Sequence, residues 1–278
     1  STFTGGVTVS DGTLTVKSGA SLAAANDLTL SGGTLNLDHA TQTVASLAGS
    51  GGTINFGTGH ILTLAQITAT SYAGVLAGSG GFTLSGSGGS LTLSGGSANT
   101  HAGNTTINEG TLILAKTPGT AAIAGGTITV GNGAGTDILR LGASHQIGNS
   151  TNLTLAGGSF QLNNFSETLA ALKLDASSTI DFGSTASALV FADSSAQSWT
   201  GTLTIANYTT ASGNSLRFGA TASGLTSGQL AQISFTGYGA GVTIDGSGYV
   251  SPIPEPGTYA VLAGLAALAL AARRRRRS

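Results

Sequence analysis

The stretch Asp27–Leu37, DLTLSGGTLNL, holds two short alternating runs separated by three small residues. Leu28 and Leu30 point to one side of an extended chain, Ser31-Gly32-Gly33 can turn it, and Leu35 and Leu37 resume the alternation. Period two means strands, and Gly at a bend supplies a positive φ or room for a close approach. Two arrangements satisfy this. In a β-hairpin the two strands pair with each other; in a coil corner each pairs with the coil before and the coil after.

Outward from this unit the pattern recurs as GVTVSDGTLTV (Gly6 to Val16), GFTLSGSGGSLTL (Gly81 to Leu93), NTTINEGTLIL (Asn104 to Leu114) and NLTLAGGSFQL (Asn152 to Leu162). In four units the first inward residue of the second strand lies seven after that of the first: Val7 and Leu14, Leu28 and Leu35, Leu84 and Leu91, Leu153 and Phe160. Longer steps of about 20 residues, a solenoid-type repeat length, separate Leu14 from Leu35, Leu62 from Leu84, Leu91 from Leu112 and Leu139 from Leu162. The drifting long period and the shortage of charged residues to guard sheet edges favour a solenoid over an antiparallel sandwich. The expected fold is all-β, a right-handed parallel β-helix with Leu28, Leu30, Leu35 and Leu37 inward, followed by a single short C-terminal transmembrane helix.

Composition narrows the function. Charged residues are 8% of 278, yet Val, Ile, Leu and Phe recur at short intervals, so the chain has a core and is not low-complexity disorder. Gly is frequent, at 45 residues, but lacks the every-third spacing of collagen. Ahead of Pro252 five basic residues face ten acidic ones, and this net charge of −5 argues against nucleic acid as a partner. No Cys is present, which excludes disulfides, thiolate metal sites and a cysteine nucleophile. Ser1 opens in mid-pattern without Met, so the sequence is expected to be the C-terminal portion of a longer secreted precursor.

Catalytic chemistry is scarce. His39, His60, His101 and His145 show no metal-ligand spacing and read as polar residues at coil corners. Asp175 and Asp181 are the nearest approach to a carboxylate pair, but a bend between them is expected to put them on separate faces. No GxSxG joins a strand to a helix, and GSGG at Gly78 to Gly81 lacks a phosphate-loop Lys. NGAGTDIL, Asn132 to Leu139, nearly matches the calcium-binding nonapeptide GGxGxDxUx, with Asn132 in place of the first Gly; one copy supplies too few oxygens. Trp199 is expected to pack at a coil boundary before a strand Leu203 to Ile205. No enzyme activity, cofactor or metal is predicted.

The last 27 residues differ in kind. Pro254-Glu255-Pro256 holds the chain extended, Thr258 to Ala272 is uncharged, and Arg273, Arg274, Arg275, Arg276 and Arg277 follow at once. Fifteen helical residues reach only about 22 Å, so the apolar run is a marginal span, helped by snorkelling arginines that would stay cytoplasmic.

This order of parts resembles the PEP-CTERM sorting signal of exosortase substrates. The resemblance implies export, transient anchoring in the inner membrane and cleavage near Pro254-Glu255-Pro256 by an exosortase-type membrane protease. GGTLNLDHATQTVASLAGSGGTINFG and HAGNTTINEGTLILAKT resemble the autotransporter-associated β-strand repeat of bacterial surface proteins. SLRFGATASGLTSGQLAQISFTGYGAGVTIDGSGYVSPIPEP, Ser215 to Pro256, is similar to the segment before the tag in repeat-bearing PEP-CTERM proteins. It reads as a strand with Leu216 and Phe218, a helical turn over Leu225 to Leu230 and a strand with Ile233 and Phe235. The expected division is a solenoid over 1–214, a C-terminal solenoid cap over 215–251 and the sorting signal over 252–278. The expected protein is non-enzymatic and exported to the cell surface or extracellular matrix. The alternative is a polysaccharide-binding adhesin, or a carbohydrate-active β-helix enzyme with active coils upstream; either would take extracellular polysaccharide as its partner.

Overall fold

The computed structural model describes residues 5–253. The strands Asp27–Leu30 and Thr34–Leu37 do not pair with each other. Leu28 registers with Val7 on one side and Leu47 on the other, while Leu35 registers with Leu14 and Ile54, all in parallel. Ser31-Gly32-Gly33 is therefore a coil corner and the hairpin alternative fails. Gly33 has φ 63°, and a Cβ there would lie 2.7 Å from the Gly12 carbonyl oxygen of the preceding coil, so only glycine fits.

Each coil has three sides. The first face runs from Val7–Val9 through Asp27–Leu30, Ser46–Ala48 and Ala69–Tyr72 to Ser178–Asp181, Leu203–Ala206 and Ile233–Phe235. The second carries Thr13–Val16, Thr34–Leu37, Thr53–Phe56 and Val75–Gly78, thins to single backbone bonds at Thr100, Ala122 and Ile123, and resumes at Glu167–Leu169, Ala188–Phe191 and Ser215–Phe218. The third carries Thr41–Val44, Ile61–Leu64, Thr127–Val130, Asn152–Ala156 and Leu172–Ala176. Gly81–Leu93 and Thr105–Leu114 are single long strands that bend from the third face to the first, with register shifts at Ser85. The repeat seen in sequence is thus not in phase with the coil: DLTLSGGTLNL turns from first to second face, GFTLSGSGGSLTL from third to first.

Inward residues stack in rows. Leu91, Leu112, Leu139, Phe160, Ile180, Ile205 and Phe235 follow one another in register on the first face, all nearly or fully buried. Leu28, Leu30, Leu35 and Leu37 are inward as expected. Leu14 is a correction: it registers with Leu35 but is 37% exposed, because no described coil covers its other side. Two long steps are also corrected, since Leu62 pairs with Phe82 rather than Leu84, and Leu139 with Phe160 rather than Leu162. Register keeps the inward parity and shifts the partner by one pleat.

Past Phe218 the chain forms the helix Ser227–Ala231, whose Thr226 and Gln229 make a reciprocal capping box, and then Ile233–Phe235. Val242–Ile244 and Tyr249–Pro252 follow as an antiparallel pair, with Tyr249–Pro252 also laid antiparallel against Ser215–Phe218. Among the described residues no helix is long and apolar enough to cross a membrane. The expected transmembrane helix lies outside them.

Candidate functional site

The described chain arrives at the sorting segment on a strand. Pro252 closes Tyr249–Pro252, and the Ile253 N–H donates to the Gly241 carbonyl at 3.1 Å. Pro254, Glu255, Pro256, the apolar run and Arg273 to Arg277 lie outside the described residues, so the tail leaves directly from a hydrogen-bonded strand at the last coil.

Elsewhere the potential catalytic residues are dispersed. Asp175 stands on the third face, paired with Lys173 at 2.8 Å, and Asp181 on the first, accepting from Asn207 Nδ2 at 2.7 Å and the Gly183 N–H at 2.9 Å. They sit on separate faces and form no acid–base pair. Among the described residues no three His, Asp or Glu gather as metal ligands. At Asn132 to Leu139, Asn132 Oδ1 caps its own loop by accepting the Ala134 N–H at 2.9 Å. Asp137 turns inward, buried, with Oδ1 lacking a partner. Burial pushes its carboxyl up, and the nearby Glu109 charge adds to this.

The histidines are not alike. His39 bonds the Thr41 carbonyl and His145 sits at a corner with φ 57°. His60 Nδ1 donates to the Leu37 carbonyl at 2.7 Å. His101 departs from the corner reading: it is fully buried, edge-on to Phe56 with centroids 6.1 Å apart, and burial lowers its pKa to about 4. It is a neutral core residue. Trp199 does pack at a coil boundary, its Nε1 donating to the Leu172 carbonyl at 3.0 Å.

Sequence reasoning missed a row of buried polar side chains that fasten coil to coil. Each offers an oxygen to a backbone N–H of the preceding coil: Gln42 to Leu22, Gln66 to Leu47, Asn99 to Leu76, Gln146 to Lys116, and Asn214 to Ser187, at 2.7–3.1 Å. Glu167 does the same, accepting from Gln146 at 2.6 Å and Ile147 at 3.2 Å. Its burial outweighs these bonds and raises its pKa to about 7. Lys116, also buried, donates to the Gly74 and Ser94 carbonyls at 3.0 and 2.9 Å, and burial lowers its pKa. No motif marks these residues; the only signal is a scarce amide or charge among apolar strands. Satisfying corner N–H groups explains them without catalysis.

From Thr41–Val44 to Asn152–Ala156 the open surface of the third face carries no charge; Lys173 and Asp175 follow on the next strand. A groove of about 320 Å³ runs across the edge of this face, lined by His60, Ile61, Gly81, Thr83, Asn104 and Thr106.

Comparison with known proteins adds two findings. Residues 252–277 match the PEP-CTERM protein-sorting motif. A stretch of 74 residues, 26% of the chain, is 43% identical to the adhesin BmaC autotransporter of Brucella suis biovar 1 (strain 1330), and spans 2% of that protein's length. No solved structure matches the chain.

Proposed function

We propose that this chain is a non-enzymatic, exported surface protein, a β-solenoid whose C-terminal tag is handed to an exosortase in the inner membrane. The observation that carries this is the sorting-motif match at 252–277, which begins where the last strand of the solenoid ends. In this reading Pro254-Glu255-Pro256 is the recognition element, Thr258 to Ala272 the temporary membrane helix, and Arg273 to Arg277 the cytoplasmic stop. Residues 215–251 act as the solenoid's cap, and the coil winds right-handed, as strand twist favours. The dispersal of Asp175 and Asp181 supports a role without turnover.

The test is mass spectrometry of the C-terminus of released protein in a host with exosortase. Cleavage near Pro254 is expected. With Glu255→Ala the precursor should still insert, since the apolar run and arginines are untouched, but accumulate uncut. Released protein ending at Ser278 would defeat the sorting model.

A second reading, a polysaccharide-binding adhesin, is favoured by the similarity to a protein described as an adhesin.

A further inference from the structure

The third face presents an unbroken outward row of one residue type. Thr43, Thr63, Thr83, Thr106, Thr129 and Thr154 follow in register across six consecutive strands, the first five partly exposed and Thr154 buried at the end of the row. Strand propensity alone does not explain this. The matching row of the first face reads Thr92, Ile113, Arg140, Gln161, Asp181, with the same backbone and mixed chemistry. On their third-face segments these six strands carry no outward charge; Glu109 stands at the bend of Thr105–Leu114 toward the first face, and the first charge on the face itself is Lys173, beside Thr154, where the row ends and the charge is paired with Asp175.

From this we infer that the threonine face binds a neutral, extended glycan laid along the solenoid axis. Each hydroxyl both donates and accepts, as sugar hydroxyls do, and adjacent strands repeat them about every 4.8 Å, comparable with one sugar residue of an extended chain. The groove at the face's edge supplies a subsite of mixed character. Gly81 leaves the gap between Ile61 and Asn104, because a Cβ there would collide with the Asn104 carbonyl. Ile61, 41% exposed, offers apolar surface to the C–H face of a pyranose. Asn104 has its oxygen committed to the Thr127 N–H at 3.0 Å, which leaves its NH₂ to donate. His60, its Nδ1 proton held by the Leu37 carbonyl, keeps Nε2 as an acceptor. Individually weak contacts add along a repeating ligand, and with no charge in the threonine row the binding is insensitive to salt.

The inference gives the polysaccharide-binding reading a surface and does not depend on the sorting tag. Its test is a depletion isotherm of the purified full chain on amorphous cellulose, a neutral β-linked glucan, at low and high salt, with alginate gel as the acidic comparison. Binding to cellulose, unchanged by salt and absent on alginate, is expected. The triple variant Thr63→Val, Thr83→Val, Thr106→Val keeps shape and strand preference and should weaken binding at least tenfold with Tm retained, while Thr92→Val on the first face should not. Absence of cellulose binding, equal binding by the triple variant, or preference for alginate would overturn the inference. The C-terminal mass separately decides the tag.

Discussion

Leu35 and Glu167 are both inward, and they respond to their surroundings in opposite ways. Leu35 is fully buried between Leu14 and Ile54 of adjacent coils. Leu35→Asp would place an unpaired charge in that stack and should cost about 3–5 kcal/mol, read as a lowered Tm. Glu167 is inward but hydrogen-bonded, with its pKa raised from 4.5 to about 7. An acid whose folded pKa exceeds its unfolded one binds more protons when folded between the two values. Its stability contribution is therefore complete below about 4.5 and falls as pH rises toward 7, by on the order of 3 kcal/mol at most. Glu167→Gln keeps an oxygen for the Gln146 and Ile147 N–H groups and should flatten that slope in denaturant titrations at pH 5 and pH 8. An identical slope in both proteins would mean the carboxyl is not titrating there. Leu35 was legible in the sequence because its alternation is local. Glu167, Lys116 and His101 were not, because the groups that define them belong to other coils: Lys116 reaches Gly74, 42 residues away.

At the scale of elements, the strands were legible and their partners were not. DLTLSGGTLNL reads equally as hairpin and as corner; the long period separates the two, since only stacked coils repeat it. The two misplaced steps have a local cause: each strand offers two inward residues two apart, and Leu62 to Leu84 and Leu139 to Leu162 reach the second, one pleat past the true partners Phe82 and Phe160. The period itself drifts, since Leu28 to Leu47 spans 19 residues and Ile205 to Phe235 spans 30. Corners are where the backbone is least forgiving. Gly33→Ala must accept a positive φ and a 2.7 Å approach to the Gly12 oxygen, and should destabilise by about 1–3 kcal/mol in thermal unfolding. Gly59, also at positive φ but with nothing near its missing Cβ, should cost less when replaced by Ala, which separates crowding from backbone strain. The bend inside Gly81–Leu93 was not legible, since its Ser-Gly-Ser-Gly-Gly reads as a turn; the strand passes through with a shift of register instead.

Across the whole molecule, each coil touches little but its neighbours, so stability builds by addition along one axis rather than from a single centre. The sorting segment belongs to another order of information, legible as a motif and independent of the coils before it. The threonine face lies between these cases: its residues are plain in the sequence, but their alignment exists only once six coils are in register. The antiparallel strand Tyr249–Pro252, from which the tail departs, has a mechanical consequence. Hydrogen bonds between coils lie along the solenoid axis, so tension applied through the tail along that axis opens them one after another from Pro252 inward. Such a junction yields by peeling at low force, not by shearing at high force. Each released coil of about 20 residues lends up to about 70 Å of slack before the next is loaded. Pulled from that end, the solenoid lengthens in steps rather than giving way at once.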